Sequence, residues 1–144
     1  MTTPLLMLTA TCKDNPQCVF QGEDIFLDIY ITNPHKQVIE FPLAFIQRTG
    51  PSIRLVDNRT HADAYTRTNL ADFDLNNQFI SIQPGESKTL SWVIAPPELQ
   101  QFGEGALDIN AEITVEAEVR VQGRRIQFHD TVSLHITSQG RRTQ

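Results

Sequence analysis

The chain has 144 residues, of which 40% are hydrophobic and 20% are charged, and its formal net charge at pH 7 is −5. This length accommodates one domain with a hydrophobic core, and this composition is typical of a folded, soluble protein rather than a disordered one. The negative charge, and the lack of a stripe of Lys and Arg with interleaved aromatic residues, argue against nucleic acid as a partner.

No apolar stretch approaches the about 18 residues that a membrane-spanning helix needs, so we expect no membrane contact. Residues 1–4 carry no positively charged side chain, and the apolar segment 5–8 is too short for the core of a secretory signal. These features predict a cytoplasmic protein. A periplasmic or secreted location is the alternative for a chain whose leader has been removed.

A period of two, which is typical of strands with one buried face, dominates the sequence. It predicts a first strand over residues 5–11, a short one around 18–20 and a core strand over 24–32. Turn residues stand on both sides of the core strand. Its apolar face consists of Ile25, Leu27, Ile29 and Ile31.

The middle of the chain is less regular. Residues 38–43 and 52–57 are predicted strands, and Pro42 removes a backbone donor from the first, which predicts an edge position or a bulge. The polar stretch 58–77 has no clear period. Because a structureless loop of this length is uncommon in a compact domain, we expect it to contain a short strand or one helical turn.

Two further strands, 78–83 and 88–95, flank the dipeptide Pro84-Gly85, which suits a type II turn. Residues 98–102 are compatible with a single turn of helix.

The strongest signal is a C-terminal hairpin of residues 106–121 with 125–137. Apolar residues occupy every second position of its first strand from Leu107 to Val121, and the second strand has an apolar row of its own. A two-residue loop at 122–123 or 123–124 sets the two rows opposite each other, whereas a slip of one residue would oppose apolar to polar. Asp130 interrupts the second row, which predicts a bulge or a strand that extends beyond the edge of the core.

Roughly eight or nine strands and no helix longer than about eight residues predict an all-β fold, a two-sheet antiparallel sandwich with Greek-key connections rather than a barrel. We expect one domain over 1–144, with its core in 5–137 and a frayed tail at 138–144.

Three features in this order resemble those of bacterial immunoglobulin-like domains, including the small intracellular proteinase-inhibitor type. They are the Gly-Glu turn before the strand that ends in Asn33-Pro34, the Pro-Gly-Glu-Ser turn before the strand of Trp92, and the Gly-Glu-Gly before the hairpin. The resemblance covers residues 20–137 and implies an immunoglobulin-like sandwich. The aromatic-rich segment typical of the inhibitors is polar here (65–79), so the resemblance does not carry over the inhibitory activity.

Cys12 and Cys18 are the only cysteines, and the five residues between them read as a turn. Two partly buried free thiols, a local disulfide and a reactive pair are all compatible with this spacing. A bridge across so short a loop would stabilise the fold by about 2 kcal/mol. Both cysteines lie near the N-terminus, so they cannot form the inter-sheet disulfide of true immunoglobulin domains.

The sequence contains no nucleophile elbow, phosphate-binding loop, dinucleotide-binding glycine pattern, zinc-protease motif or calcium loop. We therefore predict a protein that is not an enzyme and has no cofactor or metal.

The hairpin carries a candidate binding surface on its polar face. His129 and His135 share that face with an acidic row, Glu112, Glu116 and Glu118, and His129 opposes Glu116 or Glu118 depending on the loop. A carboxylate opposite an imidazole favours its protonated form. The row is interpreted either as an ordinary solvated face or as a pH-sensitive patch, a cation-binding patch or a docking surface for a basic partner.

A second candidate site lies in the polar stretch 58–77. If His61, Asp63, Tyr65 and Asp72 converged there, they would form the site of an enzyme without a recognisable motif; a solvated loop is the alternative.

The function predicted from these features is a protein-binding module (an adaptor, inhibitor or accessory protein) acting through loops or exposed sheet edges such as 38–43. The first hairpin strand would extend about 50 Å at about 3.3 Å per residue, which is longer than a sandwich of this size needs. We therefore expect it to bend between sheets or to form a homodimer contact. A structural subunit of a larger assembly, and an enzyme using 58–77, are the alternatives.

Overall fold

The computed structural model describes residues 4–70, 75, 77–103 and 105–138, and over these residues the fold is mostly β, as predicted. The strands are β1 (Met7–Cys12), β2 (Val19–Phe20), β3 (Ile25–Thr32), β4 (Ile39–Phe41), β5 (Ser52–Asp57), β6 (Asp63–Tyr65), β7 (Ile80–Ile82), β8 (Ser87–Ile94), β9 (Asp108–Val121) and β10 (Arg124–Ser138). Two short helices, α1 (Leu43–Thr49) and α2 (Pro96–Gln100), follow β4 and β8. The ten strands of the described residues exceed the predicted eight or nine because β6, only three residues long, lies in the stretch 58–77, where the sequence has no clear period.

The strands form two sheets whose inner faces share one hydrophobic core. The smaller sheet has the order β1-β3-β8, and the larger has the order β2-β10-β9-β4-β7, with β5 also beside β9 and β6 beside β5. The predicted apolar face of β3 is buried throughout, and it packs with the equally buried alternate residues of β9. This alternation follows from the pleat of a strand, which turns successive side chains to opposite faces.

The C-terminal hairpin has one of the two predicted registers. Its loop is Gln122 and Gly123, both with positive φ as a type I′ turn requires, so Val119 lies opposite Ile126. The pairing continues without interruption until Asp108 faces Thr137. Ser138 is the last residue of β10 and does not belong to a tail, while 139–144 lie outside the described residues.

The predicted bulge at Asp130 is wrong. Asp130 lies directly opposite Val115 in the uninterrupted ladder, and its side chain stays in the apolar row. The residue is half-buried, and its Oδ1 accepts the backbone N–H of Thr131 at 2.9 Å. The other predicted explanation is not met either, because Asp130 stands between buried Phe128 and half-buried Val132, so the strand has not passed beyond the core at this point.

The opposite side of β9 is interrupted. Ile39 of β4 pairs with Val121, and pairing resumes only when Ser52 of β5 meets Thr114. Strands β4 and β5 therefore act as one antiparallel strand that α1 divides. Within the described chain, residues 115–119 of β9 have no strand neighbour on this side.

This interruption corrects two predictions. Residues 38–43 are not an edge strand, because β4 lies between β9 and β7; Pro42 instead ends the strand and precedes α1. The long strand does not bend between sheets, since β9 pairs with β10 in one sheet over its whole length. Its length accommodates β5 and β4 one after the other.

The stretch 58–77 contains a short strand, as predicted, because β6 pairs with β5. The turn between them is organised by Asp57, which is buried. Its carboxylate accepts the N–H of Arg59 at 2.9 Å and the hydroxyl of Thr60 at 3.1 Å. These hydrogen bonds, that from Arg59 foremost, lower the pKa of Asp57 despite its burial.

Cys12 and Cys18 form a disulfide with a Cα–Cα distance of 5.4 Å, so the alternative of free thiols is wrong. The bridge fixes the end of β1 beside the start of β2. The carbonyl of Cys18 in turn accepts the N–H of Thr137 at 3.3 Å, which connects this corner to β10. No helix within the described residues is long and apolar enough to cross a membrane.

Candidate binding cleft

A cleft of about 610 Å³ opens on the outer, polar face of the larger sheet, at the place where α1 divides the strand beside β9. Its floor is formed by β9 and β10, and its wall by α1 and the segment that leads into β5. The residues that line it are Phe45, Ile46, Thr49, Gly50, Pro51, Ser52, Arg54, Tyr65, Thr68, Asn69, Glu112, Thr114, Val115, Glu116, His129 and Thr131.

The wall of the cleft is fixed to the smaller sheet. The side-chain amide of Gln47 donates to the carbonyl of Ser91 at 2.6 Å and accepts the N–H of Ser91 at 3.0 Å, so it satisfies both backbone groups of Ser91 on the outer edge of β8. At the end of α1, Gly50 has φ +88° and lies so close to Trp92 that a Cβ atom would come within 2.3 Å of the indole ring. Only glycine fits this conformation and this contact.

The floor of the cleft contains one carboxylate without an ion-pair partner in the described chain. Glu116 lies directly opposite His129 across the β9–β10 ladder, as one of the two predicted registers requires. Beside them, the hydroxyls of Thr114 and Thr131 are hydrogen-bonded at 2.8 Å. Glu116 is exposed, so its oxygens can accept hydrogen bonds from a ligand.

A second carboxylate of the cleft is already neutralised. Arg54 donates from Nε to Asp63 at 2.7 Å and from Nη1 to Glu112 at 2.9 Å. These two hydrogen bonds, with Asp63 foremost, raise the pKa of Arg54 above its usual range, so the guanidinium stays charged. Tyr65 lies opposite Arg54 on β6 and leaves 67% of its surface exposed at the rim.

The cleft continues along β9 towards the hairpin loop. A smaller depression of about 340 Å³ shares Phe45, Ile46 and Glu116 with it and extends to Glu118 and Gln127. Glu118 is bound by Arg125 at 2.7 Å. The floor of this extension is the part of β9 that has no strand neighbour beside α1.

The structure brings together part of the predicted binding set. Glu112, Glu116, His129 and Tyr65 line the cleft, Glu118 lines its extension, and Asp63 is joined to the cleft through Arg54.

His135 and His61 lie elsewhere. His135 is at the far end of the hairpin, where its ring bonds to Asp108. Hydrogen bonds from Asn58 first and His135 second lower the pKa of Asp108.

His61 is exposed in the turn between β5 and β6 and does not line the cleft, so it does not converge with Tyr65 as one hypothesis required. Asp72, the fourth residue of that hypothesis, lies outside the described residues. In the part of the chain that the structure describes, no three His, Cys, Asp or Glu side chains form a group able to hold a metal ion.

The wall of the cleft was not predicted from the sequence. Helix α1 supplies Phe45, and a strand was predicted where the helix begins. The signals were present, since Pro42 precedes the segment and Gly50 ends it, which is the usual pattern of helix boundaries. At seven residues, the helix is too short to establish a clear helical period.

Comparison with known proteins does not assign a family. No family model matches the chain, and no curated protein matches it. Among solved structures, it is similar to a Northeast Structural Genomics Consortium target at 8% identity and a TM-score of 0.40, with 90% of this chain and 83% of that chain covered. A protein from Archaeoglobus fulgidus matches at 13% identity and a TM-score of 0.40, with 92% and 96% covered.

A third similarity is to a β-glucosidase from Listeria innocua in complex with glucose, at 12% identity and a TM-score of 0.37. It covers 91% of this chain but only 16% of the β-glucosidase. At these TM-scores, none of the three similarities assigns a fold family or a function to the chain.

Proposed function

We propose that this chain is a non-catalytic protein-binding module that holds a positively charged segment of its partner in the cleft beside α1. The observation that carries the proposal is Glu116, an exposed carboxylate without an ion-pair partner in the described chain, on the floor of a cleft walled by Phe45. A Lys or Arg side chain of a partner satisfies such a carboxylate with charge-assisted hydrogen bonds.

The surroundings of Glu116 favour the same ligand chemistry. The exposed ring of Tyr65 at the rim is available for a cation–π contact, and the hydroxyls of Thr114 and Thr131 provide further hydrogen-bonding groups. The net charge of −5 adds long-range attraction for a basic partner, which raises association rates more than affinity.

We propose that the fold is an immunoglobulin-like sandwich. The order β1-β3-β8 opposite β10-β9-β4 corresponds to the A-B-E and G-F-C strands of that fold, and β2 takes the position of a strand that crosses to the second sheet. The disulfide supports no closer relation to antibody domains, because Cys12–Cys18 is local in sequence.

We also propose that the protein resides in an oxidising compartment. Disulfides persist in oxidising compartments and are rare in the cytosol. The Cys12–Cys18 bridge therefore supports the periplasmic or secreted alternative over the cytoplasmic location expected from the sequence.

Affinity capture with charge-matched variants tests the binding function. The immobilised chain is compared with Glu116→Arg and with Glu23→Arg, a control that makes the same charge change at an exposed residue outside the cleft. We expect mass spectrometry to identify a protein that the wild type and Glu23→Arg retain and Glu116→Arg loses. Retention by all three, or equal loss by both variants, would contradict a specific role for the cleft.

A further inference from the structure

The outer edge of β10 is free over most of its length. Strand β2 pairs with it only at Thr137 and Ser138, and β9 occupies its other side. The N–H of Thr137 donates outward, to Cys18, so the odd-numbered residues of β10 direct their backbone groups away from β9. Arg125, Gln127 and His129 therefore present N–H and C=O groups that no described strand takes up.

The half of this edge near the hairpin loop is also more exposed to solvent than the other half. In the inward-facing row of β10, Ile126 is 39% exposed, whereas Ile136 at the other end is fully buried. Asp130 lies in the same row, half-buried and without an ion pair to any described residue. A cationic side chain on a strand added to this edge would stabilise the unpaired carboxylate of Asp130.

The sequence of β10 supplies that cation itself. A strand added to this edge bonds through its own outward-directed residues, so even-numbered residues oppose even-numbered residues in an antiparallel pair of two copies. Arg124 is the only cationic residue at an even position of β10. One register sets Arg124 opposite the second copy's Asp130, and the same register sets Asp130 opposite the second copy's Arg124.

We propose that two copies of this chain associate edge to edge through β10, antiparallel, with a two-fold axis at Gln127. Arg125 then exchanges backbone hydrogen bonds with the second copy's His129, and Gln127 with the second copy's Gln127. Ile126 packs beside the second copy's Phe128, which covers the exposed part of the inward row. Residues 124 and 130 form a pair without backbone hydrogen bonds, where opposed side chains come closest.

The interface is self-complementary, as a two-fold dimer requires, and it joins the two larger sheets into one. It does not rest on the proposed function of the cleft, since Glu116 takes no part in it. Seven residues of each copy bury a small area, so we expect a weak dimer that dissociates on dilution.

Sedimentation velocity between about 10 µM and 1 mM tests the interface, because small interfaces dissociate in this range. The wild type is expected to show a monomer–dimer equilibrium. Asp130→Arg and Arg124→Asp are each expected to raise the dissociation constant at least tenfold, because each places like charges opposite each other twice per dimer. The double variant Arg124→Asp/Asp130→Arg restores both ion pairs and is expected to dimerise within about threefold of the wild type.

Two control variants and a folding check keep the result unambiguous. Asp24→Arg makes the same charge change at an exposed residue away from β10 and is expected to dimerise normally, and thermal unfolding verifies that each variant is folded. Glu116→Arg is expected to keep the dimer while losing the captured partner, which separates this interface from the cleft.

Two outcomes would overturn the interface. The first is a wild type that stays monomeric at 1 mM, and the second is a double variant as impaired as the single ones. In the first case, an Asp130→Val variant that self-associates would mean that Asp130 protects the edge, as inward-pointing charges do in many sheets.

Discussion

Strand β9 has a different kind of neighbour on each of its two sides. Towards β10 the pairing is continuous from the hairpin loop to Asp108, whereas towards β4 and β5 it is interrupted by α1. The continuous side contributes the most regular part of the core. The interrupted side leaves backbone of β9 without a strand neighbour and forms the cleft.

The largest expected effect tests the continuous side. Ile113 is fully buried between Val132 of β10 and Ile53 of β5, so Ile113→Ala should lower the free energy of unfolding by about 3–4 kcal/mol through the lost contacts and the cavity left behind. Urea unfolding measures this loss of unfolding free energy. Ser133→Ala, on the exposed face of the same hairpin, should change stability by less than about 0.5 kcal/mol, and a similar loss in both variants would contradict the assigned core.

An intermediate effect tests the interrupted side. Gly50→Ala places a methyl group against Trp92 at a backbone conformation that alanine avoids, so it should destabilise the chain by roughly 2–3 kcal/mol and shift the tryptophan fluorescence. Gly85→Ala is the matched control, since its φ is +78° and nothing lies within 4 Å of the added Cβ. Backbone strain alone should destabilise the control variant, by about 1 kcal/mol, and its fluorescence should be unchanged.

The smallest expected effect concerns the turn after β5, which follows the divided strand. Hydrogen bonds lower the pKa of Asp57 in the folded chain below its unfolded value. Asp57 therefore stabilises the fold at pH values above the unfolded pKa, and this contribution is lost as the pH falls through the folded pKa.

Asp57→Asn should accordingly flatten the dependence of unfolding free energy on pH in the acid range, below about pH 4. Urea titrations at a series of pH values from neutral to acid measure this. Asp14→Asn, an exposed turn residue, is the control and should keep the wild-type slope. An unchanged slope in Asp57→Asn would show that the turn does not use its carboxylate in this way.

The sequence predicted the continuous side of β9 and not the interrupted one, and the difference has a physical cause. Alternation over a long strand repeats the same information many times, so the apolar rows of the two strands limit the hairpin to two registers. Helix α1 depends on two single residues, Pro42 and Gly50, and on tertiary contacts to Trp92 and Ser91 that no local pattern contains.

The site was predictable to the same extent. Glu112, Glu116 and His129 are placed by the hairpin register, so their proximity could be derived from the sequence. Tyr65 reaches the cleft only because β6 pairs with β5 and β5 with β9, a non-local arrangement. Asp130 was identified as an exception to the apolar row, but the ladder that accommodates it without a bulge could not be inferred from composition.

The division of β9 also bears on the order in which the chain folds. A two-residue loop closes the β9–β10 hairpin, whereas the pairing of β5 with β9 must bring together residues 58 positions apart, such as Arg54 and Glu112. Because closing a longer loop costs more entropy, the hairpin should form first and α1 should dock late. Elements that dock late are expected to open more readily, and amide hydrogens around α1 should therefore exchange faster than those of the hairpin. A partner seated in the cleft would then slow exchange most where the free chain is least protected.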